Sequence, residues 1–375
     1  MNFFVLFLAL CSAASSSYNY DRPCGRTASE LWLDVVILVD VSQNMTNENL
    51  ERVTSNILTT FSAKTRIGEN QPSPKNTRIG IVTYSNTATT VATLDQFQSF
   101  NDLFQHFVNH PLNVYSPESN LYLGLNKAQE LLTAGRSNNK RANYQQVIIL
   151  YIGTVQAVGS SDALAVAQNI KSSGINIILM SFVNSNDAGT DQFLGNLATP
   201  GMRWRGFQYS SFAAIHYSMI ANCYCQPPWQ IYTPDSSTRM GLCLQVVMEP
   251  TSWSVAKLAC QNIGGYLVTE FDNSKRNFIR NITGGEGHHI GLNYVNGGWN
   301  WQQPNGQPLV PLTTTNRQDG VFWNPGYPVG MSVNTGVASV IGSNGVIGWQ
   351  NINPYTDNKI YICEKYSCDT DYYCS

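Results

Sequence analysis

The sequence predicts two domains of different class, a doubly wound α/β unit with a parallel sheet over residues 31–222 and a smaller, disulfide-stapled unit over residues 225–366. Three observations carry this. Apolar runs of strand length alternate with helical stripes through the first half, the pattern of a parallel sheet covered on both faces. Residues 25–222 contain no cysteine, whereas the chain after them is cysteine-bearing throughout. From Cys225 the composition turns to Gly, Asn, Pro and Trp, with short strands and long connections that need staples.

Leu31 to Val39 is a nearly continuous apolar strand, and Leu50, Val53, Ile57 and Phe61 then recur at helical spacing. Arg78 to Tyr84 reads as strand, and Leu121, Leu125, Ala128 and Leu132 form the stripe of a further helix. Val147 to Ile152 and Ile175 to Val183 are buried-type strands, separated by a helix from Ala163 to Lys171 that Gly174 stops. Phe193 to Ala198 and Phe212 to Ile220 close the first domain as helices, and Pro227-Pro228 marks the joint. In the second domain one helix is legible, Trp253 to Ile263, ended by Gly264-Gly265. Residues 367–375 form a short tail with Cys368 and Cys374.

Charged residues make up 12% of the 375, below the usual quarter for soluble domains, while 43% are hydrophobic. The net charge of −2 gives no reason to expect nucleic acid or an anionic membrane as partner. Phe3 to Ala14 is an apolar run ending in small residues, the form of a secretory signal peptide over residues 1–17, although no Lys or Arg precedes it. It is too short to span a membrane, and no later segment has that length. Its removal takes Cys11 and leaves eight of nine cysteines, an even number that reads as bridges in a secreted, extracellular chain. Cys24 and Cys223 flank the first domain as a candidate pair, which leaves Cys368 with Cys374. Eight cysteines nevertheless allow on the order of a hundred pairings.

The turn after the first strand reads Asp40-Val41-Ser42-Gln43-Asn44. With the element order around it, this resembles the von Willebrand factor A domain, which carries Asp-x-Ser-x-Ser there. The resemblance implies a Mg²⁺ or Mn²⁺ site completed by a Thr from a second loop and an Asp from a third. Here the second loop reads Ser119-Asn120-Leu121, with the expected Thr falling on Asn120 or Leu121, and the third reads Tyr151-Ile152-Gly153, with Ile152 in place of Asp. Asp40, Ser42 and Asn44 are thus a degenerate remnant, and magnesium binding is not expected from one carboxylate. The same Asp and Ser also serve simply to cap the turn. Asn44-Met45-Thr46 is an N-glycosylation sequon on that turn, and Asn281-Ile282-Thr283 is a second.

Cys225 with Trp229, Cys243, Trp253 to Cys260, Gly264 to Val268, His289 to Leu292, Trp299-Asn300-Trp301, Gly326-Tyr327-Pro328, Trp349-Gln350-Asn351 and Tyr361 to Glu364 follow one another over some 140 residues. This order resembles the C-type lectin domain and implies an α+β fold bridged by Cys225–Cys243 and Cys260–Cys363. The family's inner disulfide is absent, with Val337 and Pro354 near its positions, so its long loop is expected to be looser. The sugar-binding signature, Glu-Pro-Asn or Gln-Pro-Asp followed by Trp-Asn-Asp, is replaced by Tyr327-Pro328-Val329 and Trp349-Gln350-Asn351. Asp319 and Asp357 are the only carboxylates between Gly291 and Ile362, and calcium wants six to eight oxygens, several of them anionic, so calcium chelation is not expected either. Trp299, Trp301 and Trp349 align with core positions. Trp323, Tyr327, Asn351 and Tyr355, in or beside the long loop, are the ligand-binding candidates, since ring faces stack on sugars or seat protein partners.

Catalysis finds no inventory. His288-His289 lacks the Glu spacing of a zinc protease, and there is no Gly-x-Ser-x-Gly elbow and no P-loop. Gly285-Glu286-Gly287 precedes a strand, as a surface turn does. The pairing of these two domain types in this order looks like a large family of secreted roundworm proteins. It implies non-catalytic recognition of a glycan or an extracellular protein, with host defence as a setting. The alternatives are a protein-interaction or matrix module without sugar affinity, and a cryptic extracellular hydrolase.

Overall fold

A computed structural model of the chain describes residues 21–136, 141–155, 160–185, 187–312 and 322–375. The expected signal peptide and Asp319 lie outside these residues.

The first domain runs β1 (Leu33–Asp40), α1 (Asn47–Thr60), β2 (Arg78–Tyr84), β3 (Ala88–Ala92), α2 (Phe100–Asn109), α3 (Leu121–Ala134), β4 (Gln145–Ile152), α4 (Ser160–Ser172), β5 (Asn176–Ser181), α5 (Ala188–Leu197), β6 (Arg203–Arg205) and α6 (Ser210–Asn222). The sheet order is β3-β2-β1-β4-β5-β6. All neighbours are parallel except the edge strand β3, which returns antiparallel on β2. The continuous apolar strands have their explanation in the two helix layers. Along β1, Val35, Ile37 and Val39 pack with α1, α2 and α6, while Val36 and Leu38 pack with α3, α4 and α5. The sequence reading omits β3, β6 and α2. β3 and β6 are short edge strands without a continuous apolar run, and α2 presents a narrow stripe in which Leu103 and Phe107 alone are fully buried.

The second domain contains β7 (Gln230–Ile231), β8 (Leu242–Ser252), α7 (Trp253–Asn262), β9 (Tyr266–Leu267), α8 (Asn273–Ile282), β10 (His288–Val295), β11 (Gly298–Trp301), β12 (Val310–Pro311), β13 (Gly336–Ile341), β14 (Ile347–Ile352) and β15 (Asn358–Tyr366). Its main sheet runs β12-β11-β10-β15-β8-β7, with β13 on β10, β14 on β13 and β9 on β15. Among the described residues the domain has two helices, where the sequence shows one. α8 was hidden because its buried side is thin. Its N-terminus is capped by Asp272, which accepts from the Lys275 N–H at 2.8 Å, but Ile279 is its one fully buried apolar residue.

Four disulfides are formed: Cys24–Cys223, Cys225–Cys243, Cys260–Cys363 and Cys368–Cys374. The chain crosses between domains at Tyr224, whose backbone pairs with Cys368 through two 3.0 Å hydrogen bonds. The segment from Asp21 to Cys24 and the tail from Ser367 each reach across the joint between the domains. Ahead of the first domain, Asp21 pairs with Lys275 at 2.6 Å, Arg22 pairs with Asp369, and the Arg22 carbonyl accepts from Gly241 at 2.7 Å. At the far end the tail returns to the first domain. Its Asp369 carbonyl accepts from the Trp32 indole at 3.0 Å, its Thr370 carbonyl from Lys75 at 2.8 Å, and its Tyr373 ring lies 4.7 Å from that of Trp32. These contacts occupy the N-terminal end of β1, so the interface lies at the opposite end of the parallel sheet from the loops that carry Asp40.

Candidate functional site

At the C-terminal end of β1, Asp40 is fully buried and knits three loops together. One carboxylate oxygen accepts the Ser42 N–H at 2.9 Å; the other accepts the Ser119 hydroxyl and the Gly153 N–H, both at 3.3 Å. The second-loop group facing Asp40 is thus the Ser119 hydroxyl, rather than Asn120 or Leu121. Asn120 caps α3 by accepting from the Leu123 N–H, and Leu121 is buried in the core. Ile152 is buried as well, in register with Ser181. The first and third loops are in contact, since a Cβ on Gly153 would sit 3.1 Å from the Asn44 and Met45 backbone. Tyr84 fills the space beside Gly124, where a Cβ would come within 2.8 Å of its ring. Burial holds the Asp40 carboxyl above its ordinary value despite the hydrogen bonds it accepts. Both Asp40 oxygens are engaged by protein donors.

Asn44 is exposed in a 3-10 turn, Gln43–Met45, and Thr46 of its sequon caps α1 by accepting from Asn49. Asn281 is exposed on the last turn of α8, where Thr283 donates to the Ile279 carbonyl at 2.9 Å.

In the second domain the long loop passes Tyr327, Val329 and Asn334 before β13. Asn351, 3% exposed, is a clamp beneath it. Its Oδ1 accepts the Val329 N–H at 2.8 Å, and its Nδ2 donates to the carbonyls of Val329 and of Asn334, the latter at 2.8 Å. Asn324 adds a second tie by donating to Val340 at 3.2 Å. The loop expected to loosen with the lost inner disulfide is held by two amides instead. Trp323 is half-buried between Trp299 and Trp349, with ring centroids at 4.9 and 5.8 Å, so its ring is largely committed to the core. Tyr327 is half-buried and joined to Pro328 by a cis peptide bond. Tyr355 is 76% exposed. Asp357 is exposed and accepts the Asn353 N–H at 2.9 Å. The sequence reading missed three exposed aliphatics on the loop, Val329, Met331 and Val333. So short an apolar run has no periodicity to betray it.

Residues 34–220 match the model of the von Willebrand factor type A domain, and residues 249–365 match that of the C-type lectin domain. The chain joins an A-type domain to a C-type lectin domain. C-type lectin domain-containing protein 160 of Caenorhabditis elegans is 23% identical over 379 residues, which take in 94% of this chain. The chain spans 56% of the length of that curated relative. Solved structures similar to parts of the chain include proximal thread matrix protein 1 from the mussel byssus with a zinc-occupied MIDAS motif. That structure is 17% identical, with a TM-score of 0.45, over 55% of this chain and 50% of its own. A calcium-independent type II antifreeze protein is 19% identical, with a TM-score of 0.30, over 39% of this chain and 96% of its own. The carbohydrate-recognition domain of the mouse scavenger receptor C-type lectin is 22% identical, with a TM-score of 0.29, over 38% of this chain and 96% of its own.

The two domain types support a recognition or interaction module. Among the described residues, no helix is long and apolar enough to cross a membrane.

Proposed function

We propose that the chain is a secreted, non-catalytic recognition protein whose lectin domain binds a glycan through the long-loop face without calcium, and whose A-type domain works without magnesium. The observation that carries this reading is the Asn351 amide. It holds the long loop through backbone bonds to Val329 and Asn334, a task for which no ion is then needed. The exposed Tyr355 ring and the half-buried Tyr327 ring are the sugar-stacking candidates. Four disulfides support an oxidising, extracellular setting, for which host defence is the role the domain pairing suggests.

A second reading, contact with an extracellular protein, is favoured by Val329, Met331 and Val333, which expose 45%, 39% and 59% of their surface on the same loop. A glycan array probed in EDTA separates the two. Signal retained in EDTA and lost in Tyr355→Ala and Tyr327→Ala supports the sugar reading. Silence with and without calcium favours the protein reading, and signal only with calcium contradicts both.

A further inference from the structure

Away from the long loop, α8 and the tip of the β13–β14 hairpin enclose a cavity of about 210 Å³. One water needs only about 15 Å³. The cavity lies beside Ile347, four residues and about 13 Å along β14 from Asn351.

Its floor is a buried charge cluster that the long-loop reading does not use. Glu270, 1% exposed, accepts from the Trp349 indole at 2.7 Å, faces the His288 Nε2 at 3.0 Å and lies 3.7 Å from the Arg276 Nε. The other His288 nitrogen faces the Glu286 carbonyl at 2.9 Å. Both ring nitrogens thus face protein oxygens. Burial opposes ionisation of Glu270, yet the hydrogen bond and charge of His288, followed by Arg276, hold its carboxyl below the ordinary value. The Glu270 carboxylate is thus shared between the Trp349 indole, the His288 ring and the Arg276 guanidinium. At the rim, Arg280 and Glu286 offset one another. Two lining side chains have buried atoms without a hydrogen-bond partner, the Arg276 Nε and the hydroxyl of Ser339, a residue 1% exposed. Unpartnered donors, one of them on a guanidinium, are the complement of an oxyanion. The volume exceeds what a bare oxyanion fills, and Asn277 supplies an amide at the rim for neighbouring hydroxyls.

We propose that this cavity is a second binding site, independent of the long loop, for a sugar bearing one oxyanion substituent, either a sulfate ester or a carboxylate.

The test is calorimetric titration of the whole chain in EDTA with glucose 6-sulfate, glucuronate and glucose. Binding of either charged probe is expected, at least tenfold tighter than glucose and weakening with added salt. Ser339→Ala should weaken it roughly tenfold, as loss of a bond to a charged group does, and Arg280→Gln, which leaves the Glu286 charge unopposed at the exposed rim, should weaken it too. Tyr355→Ala should leave it unchanged, which separates failure of this site from failure of the long-loop reading. Equal affinity for glucose, charged-probe binding that survives both cavity variants, or no binding of either charged probe would each overturn the proposal.

Discussion

The Asn351 side chain grips Val329 at both ends of its peptide, accepting its N–H at 2.8 Å and donating to its carbonyl. One amide thereby fixes the turn of a loop that has lost its disulfide. Asn351→Ala orphans both groups and the Asn334 carbonyl, at a cost of about 2–3 kcal/mol. Thermal unfolding should fall by several degrees, and proteolysis should accelerate at residues 327–334. Rescue of either by calcium would contradict the ion-independent reading.

Asp40 does comparable work in the A-type domain. Asp40→Ala, which strips partners from Ser42, Ser119 and Gly153, should cost about 3 kcal/mol in EDTA. The folded-state carboxyl sits above its unfolded value, so its contribution is fully present below the unfolded value and shrinks as pH rises through the folded one. Millimolar magnesium or manganese should leave the melting temperature unmoved. Saturation at a hundred times Kd would instead add about 2.7 kcal/mol.

Asn44 and Asn281 are both exposed on sequons. Protein from a secreting eukaryotic cell should lose the mass of two N-glycans on glycosidase treatment, and Asn44→Gln should remove one. An unmodified Asn44 would leave the rim of the Asp40 turn bare.

The strap at Asp21 should respond to pH. Burial pushes its carboxyl up to about 6, the Lys275 charge opposing this and the Glu364 and Asp272 charges adding to it. For a carboxyl raised from 3.8, the stabilisation is complete below that value and is lost as pH rises through about 6. The Gly241 amide, bonded to the Arg22 carbonyl, should therefore be better protected from hydrogen exchange at pH 5 than at pH 8, after correction for intrinsic rates. Asp21→Asn should flatten the difference, and protection that grows with pH would refute it. Lys275→Met leaves two buried carboxylates unpaired and should cost about 3–5 kcal/mol.

Legibility in the sequence followed the range of the interactions. β1, β4 and β5 were readable because strands buried on both faces leave unbroken apolar runs, and α3 because its stripe repeats four times. α8 was not, since one buried isoleucine makes no stripe. The Asp40 turn was visible as a motif, yet its partner Ser119 was not, because which residue turns a hydroxyl inward depends on where α3 starts. Asn351 stood out by its place after Trp349, but its targets are backbone groups 17 and 22 residues away. The Asp21–Lys275 pair spans 254 positions and leaves no local trace.

The two straps cross in opposite directions, the Asp21–Cys24 segment lying on the lectin domain and the tail on the A-type domain. Traction separating the domains is thus shared by three segments side by side: the peptide through Tyr224, the Asp21–Cys24 head and the Ser367–Ser375 tail. A single nick at Tyr224 leaves the halves fastened, and they should still co-migrate on a sizing column.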